Sequence, residues 1–153
     1  MNWMLLPFKR YADFKGRSRR MEFWMYSLLN LLVWLVLGGV NLSSGNKMAE
    51  LASAGDSNPL AVYGVMFSGP LGIVLAIWFL ANIIPSIAVS VRRLHDRDMS
   101  GWWYLAVVVG SFIPLINILV SIGFLVLMLL PGTAGPNRFG PDPKNPTSAD
   151  VFS

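Results

Sequence analysis

The apolar positions of this chain gather into three blocks that contain no Asp, Glu, Lys, Arg or His. Each is long enough to cross a hydrocarbon core of about 30 Å, which takes about 20 residues of helix. The first, Phe23 to Leu42, predicts a spanning helix over 23–42. The second, Leu60 to Val91, is too long for one upright span. Gly69-Pro70 breaks it, because proline has no amide hydrogen to give. The predicted helix is therefore 71–91, with Leu60 to Ser68 lying in the interface or extending the helix outward. The third block, Trp102 to Leu130, carries Pro114 and, beyond it, Asn117. It is either one helix kinked at Pro114 or a hairpin of two short helices, which gives four segments. Length favours one helix, since neither half reaches 20 residues. The expectation is an all-α, polytopic membrane helix bundle with three spans (about 23–42, 71–91 and 102–130). Residues 1–143 form one membrane domain and 144–153 a disordered tail.

Composition supports that class: 54% of residues are hydrophobic and 13% charged, outside the balance of a soluble domain. The apolar core of the first block is longer than a signal-peptide h-region, and the Ala-x-Ala at 52–54 lies well downstream, so the helix reads as retained. Asn41-Leu42-Ser43 matches a glycosylation sequon but touches the end of the span and reads as chance.

Charge sets orientation. Six of the twelve Lys and Arg precede the first helix, one lies in the first loop, three follow the second helix and two are in the tail. By the positive-inside rule the N-terminus and the loop 92–101 are cytoplasmic, and the loop 43–59 is outside. Attraction to anionic lipid headgroups accounts for the basic cluster without any nucleic acid. With no cysteine there is no disulfide, thiolate nucleophile or Cys-based metal site.

Polar residues recur at helical spacing within the spans. Asn82, Ser86 and Ser90 share one face of the second helix; Gly110, Pro114, Asn117 and Ser121 share one face of the third block; the first helix holds Ser27 and Asn30. Such faces usually join helices through close backbone approach and interhelical hydrogen bonds. A solute path is the alternative, but the spans lack the ionisable groups that coupled transporters carry.

The interfacial stretches carry the candidate chemistry. In Arg17-Ser18-Arg19-Arg20-Met21-Glu22, Ser18 is placed to cap the first helix, and Glu22 sits in its first turn within reach of Arg19. Trp24 and Tyr26 are expected at headgroup level. If the second helix continues past Val91, Arg92, His95 and Asp96 share a face beside Arg93, and the lone histidine neighbours a carboxylate. A His-Asp pair can do acid-base work, or simply hydrogen-bond a helix terminus. It makes a poor metal site, because zinc needs three or four ligands. No cofactor is implied. The tail from Pro131 to Pro143 is dense in Pro and Gly and reads as turns that display Asn137, Arg138, Phe139 and Asp142. A phosphate loop is excluded by the absence of Gly-Lys-Ser/Thr and of a following helix.

Four ordered motifs, Gly16-Arg17-Ser18-Arg19-Arg20-Met21-Glu22-Phe23-Trp24, Arg92-Arg93-Leu94-His95-Asp96, Ser100-Gly101-Trp102-Trp103 and Asn137-Arg138-Phe139-Gly140-Pro141-Asp142-Pro143, together resemble the domain of unknown function 805 family of YhaH-like bacterial inner-membrane proteins. Against that family, Asp98-Met99 stands where a Gly or polar residue followed by a basic one is expected. The resemblance implies a small multi-pass inner-membrane protein and supplies no activity, cofactor or active site. Three functions remain open. The first is a non-enzymatic module binding a partner protein or anionic lipid headgroups, with membrane lipids and a homo-oligomer among its partners. The second is a small-solute or lipid transport unit. The third is a membrane-embedded enzyme using His95 and Asp96.

Overall fold

The computed structural model describes residues 3–57 and 60–144; side chains at 54–57 are not described. The expected disorder from 145 onward, within the predicted tail 144–153, lies outside the described residues. Among the described residues every named element is helical. A short α1, Leu6–Lys9, opens on Pro7 near its start, where a missing amide hydrogen costs nothing. The first long helix, α2, runs Arg20–Ser43 with a π-helical turn at Trp34–Gly38. Then come α3, Lys47–Ser57, and α4, Ala61–Met66. The second long helix, α5, is Gly69–Asp96. It begins at the Gly-Pro step, and Leu60 to Ser68 does not extend it but holds the separate helix α4. Two shorter apolar helices follow, α6, Trp102–Ser111, and α7, Ile116–Leu129.

At 24 and 28 residues, α2 and α5 reach about 36 and 42 Å. These two are long and apolar enough to cross a membrane. The third block is therefore not one helix over 102–130. Pro114 cannot donate into a continuing ladder, and Leu115 takes the left-handed conformation at φ 69°, so the chain turns between Phe112 and Leu115. A Cβ on Gly110 would come within 2.9 Å of Val120, which places α6 tightly against α7 as a hairpin. Asn117 and Ser121 consequently do not share a helical face with Gly110. The Asn117 amide instead donates to the Ser111 carbonyl at 2.8 Å, capping the end of α6, and Ser121 donates to Asn117 Oδ1 at 3.2 Å.

The chain divides into two compact units, Ser27–Ile83 and the remainder. In the first, Lys47 Nζ donates to Asn41 Oδ1 and to the Ser68 carbonyl, both at 2.6 Å, while Asn41 Nδ2 donates to the Met66 carbonyl at 2.7 Å. This clasp fixes the start of α3 to the end of α4, and it uses the sequon amide internally. Trp78 Nε1 of α5 donates to Asn30 of α2 at 3.1 Å, whereas Asn82 donates to the Trp78 carbonyl at 2.7 Å within α5 itself. The second unit has a core of Phe23, Tyr26, Val89, Leu94 and Met128, with Tyr104 and Phe124 packed on it. Tyr26 is buried there, its hydroxyl 3.1 Å from that of Ser86. Buried Pro85 inside α5 removes one ladder bond beside that contact.

Candidate functional site: a buried arginine-carboxylate platform

The second unit draws the N-terminal motif, the end of α5 and the tail into one polar cluster. α5 runs past its apolar stretch to Asp96, so Arg92, Arg93 and Asp96 lie within about one helical turn. The helix stops because Asp98 adopts φ 57°; the amides of Asp98 and Met99 then close onto the His95 and Leu94 carbonyls at 3.0 Å each. Asp is among the few non-glycine residues that tolerate this conformation, which explains why it can stand at that position of the motif.

Asp96 is the hub. Its Oδ1 accepts from Arg17 Nε at 3.0 Å and Nη2 at 2.9 Å, and its Oδ2 accepts from Arg93 Nη1. The side chains of Arg17, Arg93 and Asp96 are at most 3% exposed. Arg17 also donates to the carbonyls of Thr133 and Gly135, both at 2.6 Å, and Arg93 to that of Leu130. Asp96 returns the tie through its backbone: its carbonyl accepts from the Thr133 amide at 2.8 Å and hydroxyl at 3.1 Å. Gly132 is required at this point, since a Cβ there would lie 1.9 Å from Asp96 Oδ2.

A second buried pair stands beside the first. Arg92 Nη2 donates to Glu22 at 2.7 Å, and Nη1 donates to the carbonyls of Asp13 and Arg10. Glu22 therefore pairs with Arg92, 70 residues away, and not with Arg19. Arg19 donates instead to the Pro143 carbonyl. Ser18 does not cap α2. Its hydroxyl is buried without a hydrogen-bond partner and its amide donates to the Arg92 carbonyl at 3.1 Å, while the first free amides of α2 turn to the Arg19 carbonyl.

His95 does not couple to Asp96. Its Nδ1 lies 3.2 Å from the Gly16 carbonyl, and its ring stacks on Phe139 with centroids 3.9 Å apart and planes 4° from parallel. Asn137 clamps the same turn by donating to the His95 carbonyl at 2.9 Å. Arg138 lies over the Phe139 ring and reaches Asp98 at 3.1 Å on the exposed rim. Asp142 accepts from the Lys144 and Gly135 amides at 2.9 and 3.1 Å, and these bonds, the Lys144 one first, hold its carboxyl below the usual range. Burial pushes the Asp13 carboxyl up, but the hydrogen bonds from Arg10 and the Lys15 amide, with the charges of Arg10 and Arg92, outweigh it and leave it below its ordinary value. Arg20 reaches the Leu129 carbonyl at 3.2 Å. Trp102 and Trp103, 78% and 57% exposed, stand apart from the cluster at the start of α6. Among the described residues no three His, Cys, Asp or Glu side chains gather to hold a metal ion.

Sequence reasoning named Arg17, Glu22, Arg92, Arg93 and Asp96 as candidates but not Arg10, Asp13, Gly132 or Thr133. The one available signal was Pro131-Gly132 directly after an apolar block, a turn that returns the chain to the helix end it left.

The buried charges of the cluster, Arg17, Glu22, Arg92, Arg93 and Asp96, fall within the stretch 11–141 matched by the family described as "Protein of unknown function (DUF805)". The chain belongs to the DUF805 family. It is 38% identical over 144 residues to inner membrane protein YhaH of Escherichia coli K12, covering 94% of this chain and 98% of that one. It is 34% identical to inner membrane protein YhaI of the same organism, with 94% and 97% covered. The uncharacterized protein YiiR, also from that strain, is 29% identical over 85% of each chain. No solved structure is significantly similar to it. As a DUF805 member the chain is an inner-membrane protein with helical spans.

Proposed function

We propose that this DUF805 protein is a non-enzymatic membrane module whose cytoplasmic platform binds anionic lipid headgroups. The observation that carries the reading is how the platform distributes its charge. Among the described residues, eleven Lys and Arg stand on its three segments against five Asp and Glu. Of those carboxylates, Glu22 and Asp96 are turned inward onto buried arginines. The surplus is cationic and outward: Lys9, Lys15 and Lys144 have no side-chain partner among the described residues. Each such cation near an anionic surface contributes on the order of 1 kcal/mol, screened by salt. The enzyme reading loses its His95-Asp96 pair, because Asp96 is held by two guanidinium groups while His95 turns Nδ1 to Gly16 and stacks its ring on Phe139.

The accompanying topology has α2 and α5 crossing, with the N-terminal motif, the loop after α5 and the tail on the cytoplasmic side. At 10 and 14 residues, α6 and α7 span only about 15 and 21 Å, so the hairpin enters the bilayer and returns to the side it came from. The tail's bonds to Arg17 and Asp96 support this reading.

Topology is tested with Ser148→Cys in this cysteine-free chain. An impermeant maleimide is expected to label it only after lysis of spheroplasts; labelling in intact spheroplasts sinks the arrangement. Headgroup binding is tested by thermal unfolding in nanodiscs. Phosphatidylglycerol should raise the midpoint over phosphatidylcholine, and the difference should collapse in high salt. Equal midpoints in the two lipids would refute it.

A further inference from the structure

Between α5 and α6 lies an open groove of about 590 Å³, within the range that holds small ligands. Ile87 and Val91, one turn apart on α5, form one wall, and Leu105 and Val108 on α6 form the other. The lining is mostly apolar: His95 and Ser100 stand at the end nearest the α5–α6 turn beside Gly101 and Phe14, and Tyr104, which also lines the groove, has its hydroxyl bonded with Ser90. From Ile87 to His95 the wall is about 12 Å long along α5. Gly101 shapes the mouth, since a Cβ there would come within 2.7 Å of Val91 and 3.3 Å of His95 Nε2.

The chemistry of the two ends differs. Ile87, Val91, Leu105 and Val108 offer no partner for water and the Tyr104 hydroxyl is already bonded with Ser90, so an aqueous solute gains little by entering. At the mouth, His95 Nδ1 is turned to Gly16, which leaves Nε2 on the side of Gly101. Ser100 Oγ accepts from the Trp102 amide at 3.4 Å and keeps its own proton to donate. Lys15, the residue after Phe14, is exposed and without a side-chain partner among the described residues. The neighbouring carboxylates are already held, Asp13 by Arg10 and Asp98 by Arg138. A mostly apolar slot with the Ser100 hydroxyl at one end, and an exposed lysine next in the chain to Phe14 of its lining, complements an amphiphile with an anionic head.

We infer that this groove holds one acyl chain of an anionic phospholipid, with the phosphate at the mouth beside Ser100 and Lys15. The inference rests on the headgroup reading above and gives it a site. It separates one bound lipid from the annular lipids that cover exposed residues such as Ile118 and Leu119, 62% and 72% exposed on α7.

The test uses the full chain in nanodiscs doped with phosphatidylglycerol bearing a diazirine on its acyl chain, photolysed and mapped by mass spectrometry. Adducts should concentrate severalfold on Ile87, Leu105 and Val108 over Ile118 and Leu119. Val108→Trp should abolish the groove adducts and leave those on α7; the wild-type map stands alone if that variant does not fold. Adducts spread evenly over the exposed helices would overturn the groove site while leaving the salt-sensitive stabilisation by phosphatidylglycerol intact. A phosphatidylcholine probe that labels the groove equally well would overturn the anionic occupant and, with it, the headgroup reading.

Discussion

Asp96→Asn removes the charge at the hub of the platform while keeping the side chain's size. One carboxylate faces two guanidinium groups that are at most 1% exposed, so the substitution leaves two buried cations side by side with no counter-charge. The new amide can still accept one hydrogen bond, but its NH2 must then point a donor at the other arginine. Breaking a buried pair by removing one partner costs about 3–5 kcal/mol, a large share of a typical total of about 5–15. Ser18 supplies the reporter: its side chain is buried without a partner, so Ser18→Cys places the chain's sole thiol where reagent reaches it only when the platform opens. If opening and reclosing are fast relative to labelling, the maleimide rate follows the open population. Asp96→Asn should then raise that rate by roughly a hundred- to a few thousand-fold, at about 1.4 kcal/mol per factor of ten. Adding Arg17→Met removes one stranded cation and should recover at least tenfold, a coupling expected of groups in one network. A rise of less than tenfold in Asp96→Asn would refute the claim that this carboxylate holds the tail, the N-terminal motif and α5 together.

Three further outcomes follow from other contacts. Gly132→Ala forces a methyl group to within 1.9 Å of Asp96 Oδ2 and should destabilise by about 1–3 kcal/mol, seen as faster labelling of the same Ser18→Cys reporter. Asn117→Leu strips the cap from the Ser111 carbonyl; with the hairpin tip in hydrocarbon the loss is about 1–3 kcal/mol, read as a lower unfolding midpoint in nanodiscs, and an unchanged midpoint would place the tip in water. Asp13 has a lowered carboxyl pKa in the folded chain, so its contribution is complete above the ordinary value of 3.8 and is lost as pH falls through the folded one. Proteolysis of the N-terminal segment should therefore accelerate in that acid window, and Asp13→Asn should cleave at the faster rate already at neutral pH.

Much of the architecture is written in local pattern. The charge-free blocks and the Gly69-Pro70 step need only the bilayer thickness and the missing proline amide to be read, and α2 and α5 appear where those rules put them, each a few residues longer at its basic end. The third block was ambiguous because Pro114 tells of a break but not of its angle; the left-handed Leu115 and the approach of Gly110 to Val120 decide it, and both depend on tertiary packing. The site divides along the same line. Arg17, Glu22, Arg92 and Asp96 are conspicuous as charges beside apolar helices, yet their partners lie 70 to 79 residues apart, beyond any helical period. Local rules even misled at Ser18, whose capping signature gave way to a backbone bond from its amide to the Arg92 carbonyl, and at His95, where adjacency to Asp96 did not become contact.

The ties from Arg17 to Gly135 and from Arg19 to Pro143 reach across 118 and 124 residues. At about 5–20 residues per second of synthesis, the N-terminal motif waits roughly 6 to 25 s for these partners to be made. During that interval both long helices have already left the ribosome while the arginines that will be buried remain open to solvent and headgroups. Closure of the platform is thus a late step of folding: a chain cut short before Thr133 lacks the carbonyls that hold Arg17.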